Sequence, residues 1–319
     1  MGLPRRGWSC RWACVYRTAL ALCLCALAAM ASAKPKVLVS IKPLALIAQE
    51  VAGDLAEIDT LLPITASAHD YPLKMSDHRR LREADLVIWV GAELESFLAR
   101  PLANLPAHRV LVSHDLEGLF WPEADGHNHA DQEGAHLNHG HNRNQNQNKD
   151  PHIWLDPRNA RVIAQAIAER LGQIAPEAAV QFKDNAERFS QALIALDTHL
   201  LVQLTPVKTV GFAVYHEGYS HFVEHYGLHQ LAYVTLTPER RPGAKHLQAL
   251  RNVLAKEGRC VFLEPYHHSR SIEEMALSLG LKVGQLDPIG SLEVSSYSEL
   301  LQLMGQSFLT CLTDGAKIP

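Results

Sequence analysis

The sequence predicts an α/β protein: two α/β lobes with parallel sheets, joined by one long rigid helix. Three observations carry this expectation. Short runs rich in Val, Ile and Leu alternate with helical patterns, the signature of βα units and a parallel sheet. Each half of the chain holds four such runs. Between the halves lies a stretch, 176–204, whose apolar residues form one unbroken stripe.

At 319 residues, 47% of them hydrophobic and 20% charged, the chain is long enough for two domains with proper cores. Its first segment has a different character. Arg5, Arg6, Arg11 and Arg17 precede or enter an uncharged run over 18–30, which ends in Ala31-Ser32-Ala33. This order predicts a cleaved signal peptide over 1–33. The apolar run is shorter than the roughly 20 residues of a membrane span. Four of the six cysteines, Cys10, Cys14, Cys23 and Cys25, leave with it, and Cys25 lacks the small residue before it that a lipoprotein site needs. The remaining chain carries 26 basic and 34 acidic residues, a charge of about −8, which argues against a nucleic-acid or anionic-membrane partner. Cys260 and Cys311 stay. An even pair in an oxidising compartment reads as a disulfide, with two buried free thiols as the alternative.

The N-terminal lobe is expected over 34–175. Its strands are read at "KVLVSIKPL" from Lys36, at 56–63, at 84–91 and at 108–115, with Leu44, Ile47, Ala48 and Val51 marking one of the intervening helices. His69 falls in the loop leaving the second strand, beside Ser67 and Asp70. A ligand and an exposed loop histidine fit that position equally. Residues 126–149 hold His127, His129, His136, His139 and His141 among Asn, Gln and Gly. Such a segment buries too little apolar surface to offset its ordering entropy, so a disordered loop is predicted. Its clustered imidazoles suit loose capture of zinc, copper or nickel.

The next motif is "DPHIWLDP", 150–157. Proline restricts the residue before it, so two Asp-Pro steps predict a stiff extended turn and not a helix. Such a turn places His152 accurately, either as a metal ligand or as a hydrogen-bonded core residue. A helix follows from Pro157 through 171. Another starts near Pro176, a good first-turn proline, with Phe182, Ala186, Phe189, Leu193, Leu196 and Leu200 along one face. No Gly or Pro interrupts that face, so 176–204 reads as a stiff strut.

The C-terminal lobe, 205–319, repeats the alternation. Strands are read at 208–216, 231–238, 258–265 and 282–288, with helices over 243–257, 270–280 and 296–312. His216 and Asp287 close the first and last of these strands. His69, His152, His216 and Asp287 thus all fall at strand ends or turns, from both halves. Ligands of open α/β sheets bind outside the carboxyl ends of strands. A metal site in the cleft between two lobes is the expectation.

The segments "ASAHDYPLKMSD", "ADLVIWVG", "DPHIWLDPRNA", "YHEGYSHFVEHYGL", "RPGAKHL", "FLEP" and "LDPIG" resemble, in order and over essentially the whole chain after the leader, the zinc-binding proteins of bacterial ABC importers. These are metal receptors with a rigid interdomain helix. The resemblance implies a periplasmic receptor that binds Zn²⁺ between two lobes and delivers it to an ABC permease and, through it, an ATPase. A periplasmic zinc chaperone is a further expected partner, and a monomer the expected state. The matching motifs carry three ligands over to His69, His152 and His216. The fourth position varies in the class: Ala68 stands where a Glu often precedes the first histidine, and the acidic C-terminal ligand matches Asp287, with water as the other candidate. A disulfide in the C-terminal lobe is frequent in the family, at the positions of Cys260 and Cys311. Met75, where proline is usual, and Glu217, where Asp is common, depart from the pattern without touching the histidines.

Donor chemistry agrees. Three imidazoles and one oxygen make a borderline-soft tetrahedral set suited to Zn²⁺, whereas manganese prefers harder oxygen donors. A manganese or iron receptor of the same class is the nearest alternative. A periplasmic buffer or a surface adhesin acting through the His-rich segment is another. A zinc hydrolase would use the same donors, with Glu239 or Glu264 as acid/base, but H-E-x-x-H is absent. His78, His108, His114, His199, His225, His229 and His246 read as surface or structural. His221 and the pair His267-His268 lie near strand ends and are candidates for lining the cleft.

Overall fold

The computed structural model describes residues 33–122, 149–266 and 269–313. The leader expected over 1–33 and the His-rich segment lie essentially outside them. No helix among the described residues is long and apolar enough to cross a membrane.

The β-branched runs become strands. β1 (Lys36–Val39), β2 (Glu57–Thr60), β3 (Leu86–Trp89) and β4 (Val110–Val112) form one sheet in the order β2-β1-β3-β4. β5 (Gly211–His216), β6 (Gln230–Thr235), β7 (Gly258–Leu263) and β8 (Lys282–Gln285) form a second, in the equivalent order β6-β5-β7-β8. Every pairing is parallel. In each sheet the chain steps to one side after the first strand and to the other after the second. The crevice at such a reversal opens at the carboxyl ends of the strands.

Helices cover the sheets. α1 (Lys42–Ala52) starts with Pro43 in its first turn and buries Leu44, Ile47, Ala48 and Val51, the face expected from periodicity. α2 (Met75–Glu83) and α3 (Ser96–Leu102) complete the first lobe's early crossovers. α4 (Pro157–Ile174) extends three residues beyond the expected end and buries Ile163, Ala164, Ile167 and Leu171. α5 (Ala179–Leu204) is the long helix, preceded by a 3₁₀ turn at Pro176–Ala178 and followed by another at Thr205–Val207. All six stripe residues are buried, joined by Ser190 and Leu204. The second lobe adds α6 (Ser220–Tyr226), α7 (Ala244–Glu257), α8 (Arg270–Ser278) and α9 (Tyr297–Leu312).

Phe212, Phe222, Phe262 and Phe308 pack ring against ring in the second lobe's core, at centroid distances of 4.9–5.6 Å. Beside them Cys260 on β7 and Cys311 on α9 form a disulfide with Cα atoms 6.0 Å apart. The free-thiol alternative is thereby excluded.

One sequence expectation needs correction. The "DPHIWLDP" segment contains a single 3₁₀ turn, Ile153–Leu155. Asp156 before the second proline is extended (φ −100°, ψ 119°), as proline requires. The three residues between are free to turn, and burial of Ile153, Trp154 and Leu155 stabilises the turn.

A candidate metal centre between the lobes

Each of the three histidines is placed by a different local device. His216 is the last residue of β5, buried at its carboxyl end. Val214 pairs with Phe262 across β5 and β7, so two residues further on His216 comes level with Glu264. The His216 Nδ1–H accordingly donates to Glu264 Oε1, and the same oxygen accepts the Tyr219 hydroxyl at 2.9 Å. Burial disfavours the imidazolium, but the facing carboxylate outweighs it, and the His216 pKa lies above its ordinary value.

His152 rides on the 3₁₀ turn. The turn is anchored below by Trp154, whose indole N–H donates to Pro288 O at 2.8 Å and whose carbonyl accepts the Tyr297 hydroxyl at 2.5 Å. At its far end Asp156 caps α4 by accepting from Arg158 N at 2.8 Å, with Pro157 in the first helical position. Asp150 Oδ1 accepts the His152 backbone N–H at 3.0 Å and lies 2.6 Å from its Nδ1. Burial alone would raise the Asp150 pKa. The His152 imidazole, with further help from His221 and Ser220, reverses this and holds it well below the carboxylate range.

His69 lies in the loop after β2, half-buried, its backbone N–H donating to Ser67 Oγ at 3.0 Å. Its ring centroid is 5.3 Å from that of His152 and 5.7 Å from that of His216. One nitrogen from each of the three rings lies within 4.8 Å of the others, forming the one such cluster of potential metal donors among the described residues.

The tautomers follow from the partners. A carboxylate on Nδ1 fixes the proton there and turns the Nε2 lone pair inward. The Nε2 atoms of His152 and His216 face each other at 3.2 Å. Two lone pairs at that distance repel unless a cation sits against both. Two nitrogens bound at about 2.05 Å with a tetrahedral angle would be roughly 3.3 Å apart. The spacing suits a tetrahedral ion, and in the metal-free chain it equally suits a proton shared between the two rings.

Asp287 lines the same pocket. Its Oδ1 accepts from Ile289 N at 3.0 Å and Gly290 N at 2.8 Å, and burial raises its pKa. It stands outside the tight group of donor atoms. His127, His129, His136, His139, His141, His267 and His268 lie outside the described residues.

Several contributors escaped the sequence reading. Glu264 stood only as an acid/base candidate, and Asp150 only as part of a turn. Gly218 was passed over, although a Cβ there would lie 2.7 Å from His152 Cε1 and closer still to His216 Nε2. His221, a candidate for lining the cleft from the sequence, is buried beside Asp150, to whose carbonyl its Nε2–H donates at 2.9 Å. The remaining histidines include a structural pair, His225 to Asp197 at 2.6 Å, and His114, buried against Trp121.

The sequence matches the family described as zinc-uptake complex component A periplasmic over residues 37–311. It is 38% identical over 309 residues to the high-affinity zinc uptake system protein ZnuA of Haemophilus ducreyi, covering 93% of this chain and 99% of that protein. Identity to the ZnuA of Yersinia pestis is 34% over 292 residues, covering 88% and 92%. Among solved structures, a crystal structure of ZnuA superposes with a TM-score of 0.72 at 24% identity, over 88% of this chain and all of that one. The periplasmic zinc binding protein TroA from Treponema pallidum superposes at 0.75 and 18% identity, over 88% and 100%. At those identities the superpositions speak to the fold alone. The match over 37–311 and the identity to full-length relatives carry the assignment: this chain belongs to the zinc-uptake complex component A periplasmic family.

Proposed function

We propose that the protein is an extracytoplasmic receptor that captures Zn²⁺ between its lobes and passes it to an ABC-type permease and its ATPase for high-affinity uptake. His69, His152 and His216 are the ligands, and the fourth position is filled by water or by Asp287. The observation that carries this reading is the pair of carboxylate-backed Nε2 atoms held 3.2 Å apart in a cleft. Imidazole donors favour zinc over manganese. Affinity order alone would favour copper, so selection against it rests on geometry and availability.

The lobes are assigned to 34–175 and 205–319, with 176–204 as the connecting helix. Residues 1–33 are assigned as a cleaved leader, and the mature receptor to the periplasm as a monomer. His127, His129, His136, His139 and His141 serve loose capture ahead of the cleft, with a periplasmic chaperone as a further donor. Relatives named as zinc uptake proteins support a transport role over catalysis.

The test is a zinc competition titration of mature protein lacking 126–149, with and without His152→Ala. One tight site that weakens by orders of magnitude on substitution is expected. Absence of any tight site in the shortened protein would move the function to the His-rich segment.

A further inference from the structure

We propose that Asp150 is a positioning residue through which contact between the lobes sets the hold of His152 on the ion; this rests on the reading of His152 as a ligand. Asp150 uses each of its oxygens differently. Oδ1 faces its own turn and takes both the backbone N–H of His152 and the imidazole Nδ1, at 3.0 and 2.6 Å. Oδ2 faces the other lobe and takes Ser220 N at 3.1 Å and Ser220 Oγ at 2.5 Å, at the start of α6. The main-chain carbonyl takes His221 Nε2–H, 2.9 Å away on the same helix.

His221 donates at Nε2, so its neutral ring accepts at Nδ1, and Asn159 Nδ2 lies 3.4 Å from that nitrogen. Asn159 is itself fixed by two bonds to Phe120, its Oδ1 accepting from N at 2.7 Å and its Nδ2 donating to O at 2.9 Å. Asp150 is therefore held by α6, and His221 on α6 is in turn steadied by Asn159 on α4.

A carboxylate is planar and stiff, so its two oxygens move together. Drawing α6 away with the second lobe removes both donors from Oδ2 and the donor from the carbonyl. What remains on Asp150 is the local pair with His152, now open to water. Loss of an orienting partner behind a ligating histidine weakens a metal site by about 10–100-fold. Separation of the lobes, which draws His216 away with β5, thus also loosens the hold of His152 on the ion. A plain helix-capping role for Asp150 would stabilise α6 but leave ion release unaffected.

The experiment measures zinc release into excess chelator by stopped flow, using the mature full chain. Ser220→Ala removes the Oγ donor and keeps the backbone one. It is expected to release zinc about tenfold faster, the size of one lost hydrogen bond to a charged acceptor. Ser220→Thr restores the hydroxyl and the parental rate. His221→Phe, which keeps a ring but removes the bond to the Asp150 carbonyl, also releases faster. The absorption of Co²⁺-loaded Ser220→Ala matches the parent, because the ligand set is unchanged. Parental release by Ser220→Ala, or fast release that Ser220→Thr fails to recover, overturns the proposal. Tight binding by His152→Ala would instead overturn the ligand assignment beneath it.

Discussion

Glu264→Gln tests whether the carboxylate behind His216 is part of the metal site's chemistry. The substitution keeps shape and removes charge. Glu264 Oε1 receives two hydrogen bonds, from His216 Nδ1 and Tyr219 O–H, in a site where Glu264 is 6% exposed. Bonds to a charged acceptor contribute about 1.5–3 kcal/mol, against about 0.5–1.5 kcal/mol for neutral pairs. With the amide oxygen turned toward His216, the loss is about 1–1.5 kcal/mol, or roughly tenfold in Kd. With the NH₂ turned toward it, His216 must accept at Nδ1 and carry its proton on Nε2, pointing at the ion, and the loss exceeds tenfold. A competition titration against a chelator of known affinity reads the change. A Kd within twofold of the parent would refute the argument that the carboxylate sets the tautomer and basicity of this ligand.

Four other outcomes are expected. In the zinc-free chain Glu264 keeps His216 protonated to higher pH than the ordinary value of about 6.5, so zinc affinity should already decline as pH falls through the range above 6.5, read by titration at pH 8, 7 and 6. Glu95 is buried, and that burial pushes its pKa up to about 7 despite bonds from Val90 N and Gly91 N. Its raised value means stability is full below pH 4.5 and lost as pH rises to 7, by roughly 3 kcal/mol. Glu95→Gln should therefore gain on the parent in urea midpoints at pH 8 but not at pH 4.5, and an equal difference at both would refute this. Gly218→Ala places a methyl against the His152 and His216 rings and should abolish tight zinc binding in the same titration while the protein stays folded by circular dichroism. Reduction of Cys260–Cys311, which closes a 51-residue separation, should cost about 4 kcal/mol in unfolding free energy measured with and without reductant.

How far the molecule could be read in its sequence depended on the range of the interactions involved. The eight strands were legible because Val, Ile and Leu cluster in short runs, and α5 because its stripe from Phe182 to Leu200 repeats without a break. His152 stood out for its flanking prolines. His69 did not, since a loop histidine looks the same whether it faces a cleft or water, and only the second lobe's position distinguishes them. Glu264 lies 48 residues from His216, and they meet only through the register of β5 on β7. Ser220 and His221 sit on a seven-residue helix, too short to carry a periodic signal. The 3₁₀ turn at Ile153–Leu155 was invisible to an argument from prolines, which constrain the residues before them and leave the middle to packing.

With the proposed ligands divided between the lobes, the ion becomes a thermodynamic participant in the native fold. His69 and His152 come from one side of α5 and His216 with Glu264 from the other. A chain in which one lobe has unfolded holds at most two of the three imidazoles, and so retains little affinity. Ligand that binds only the native form stabilises it by mass action, about 2.7 kcal/mol at a hundredfold excess of free ion over Kd. The melting temperature of this protein is therefore a gauge of free zinc, and scarcity of the metal is felt first as a less durable receptor.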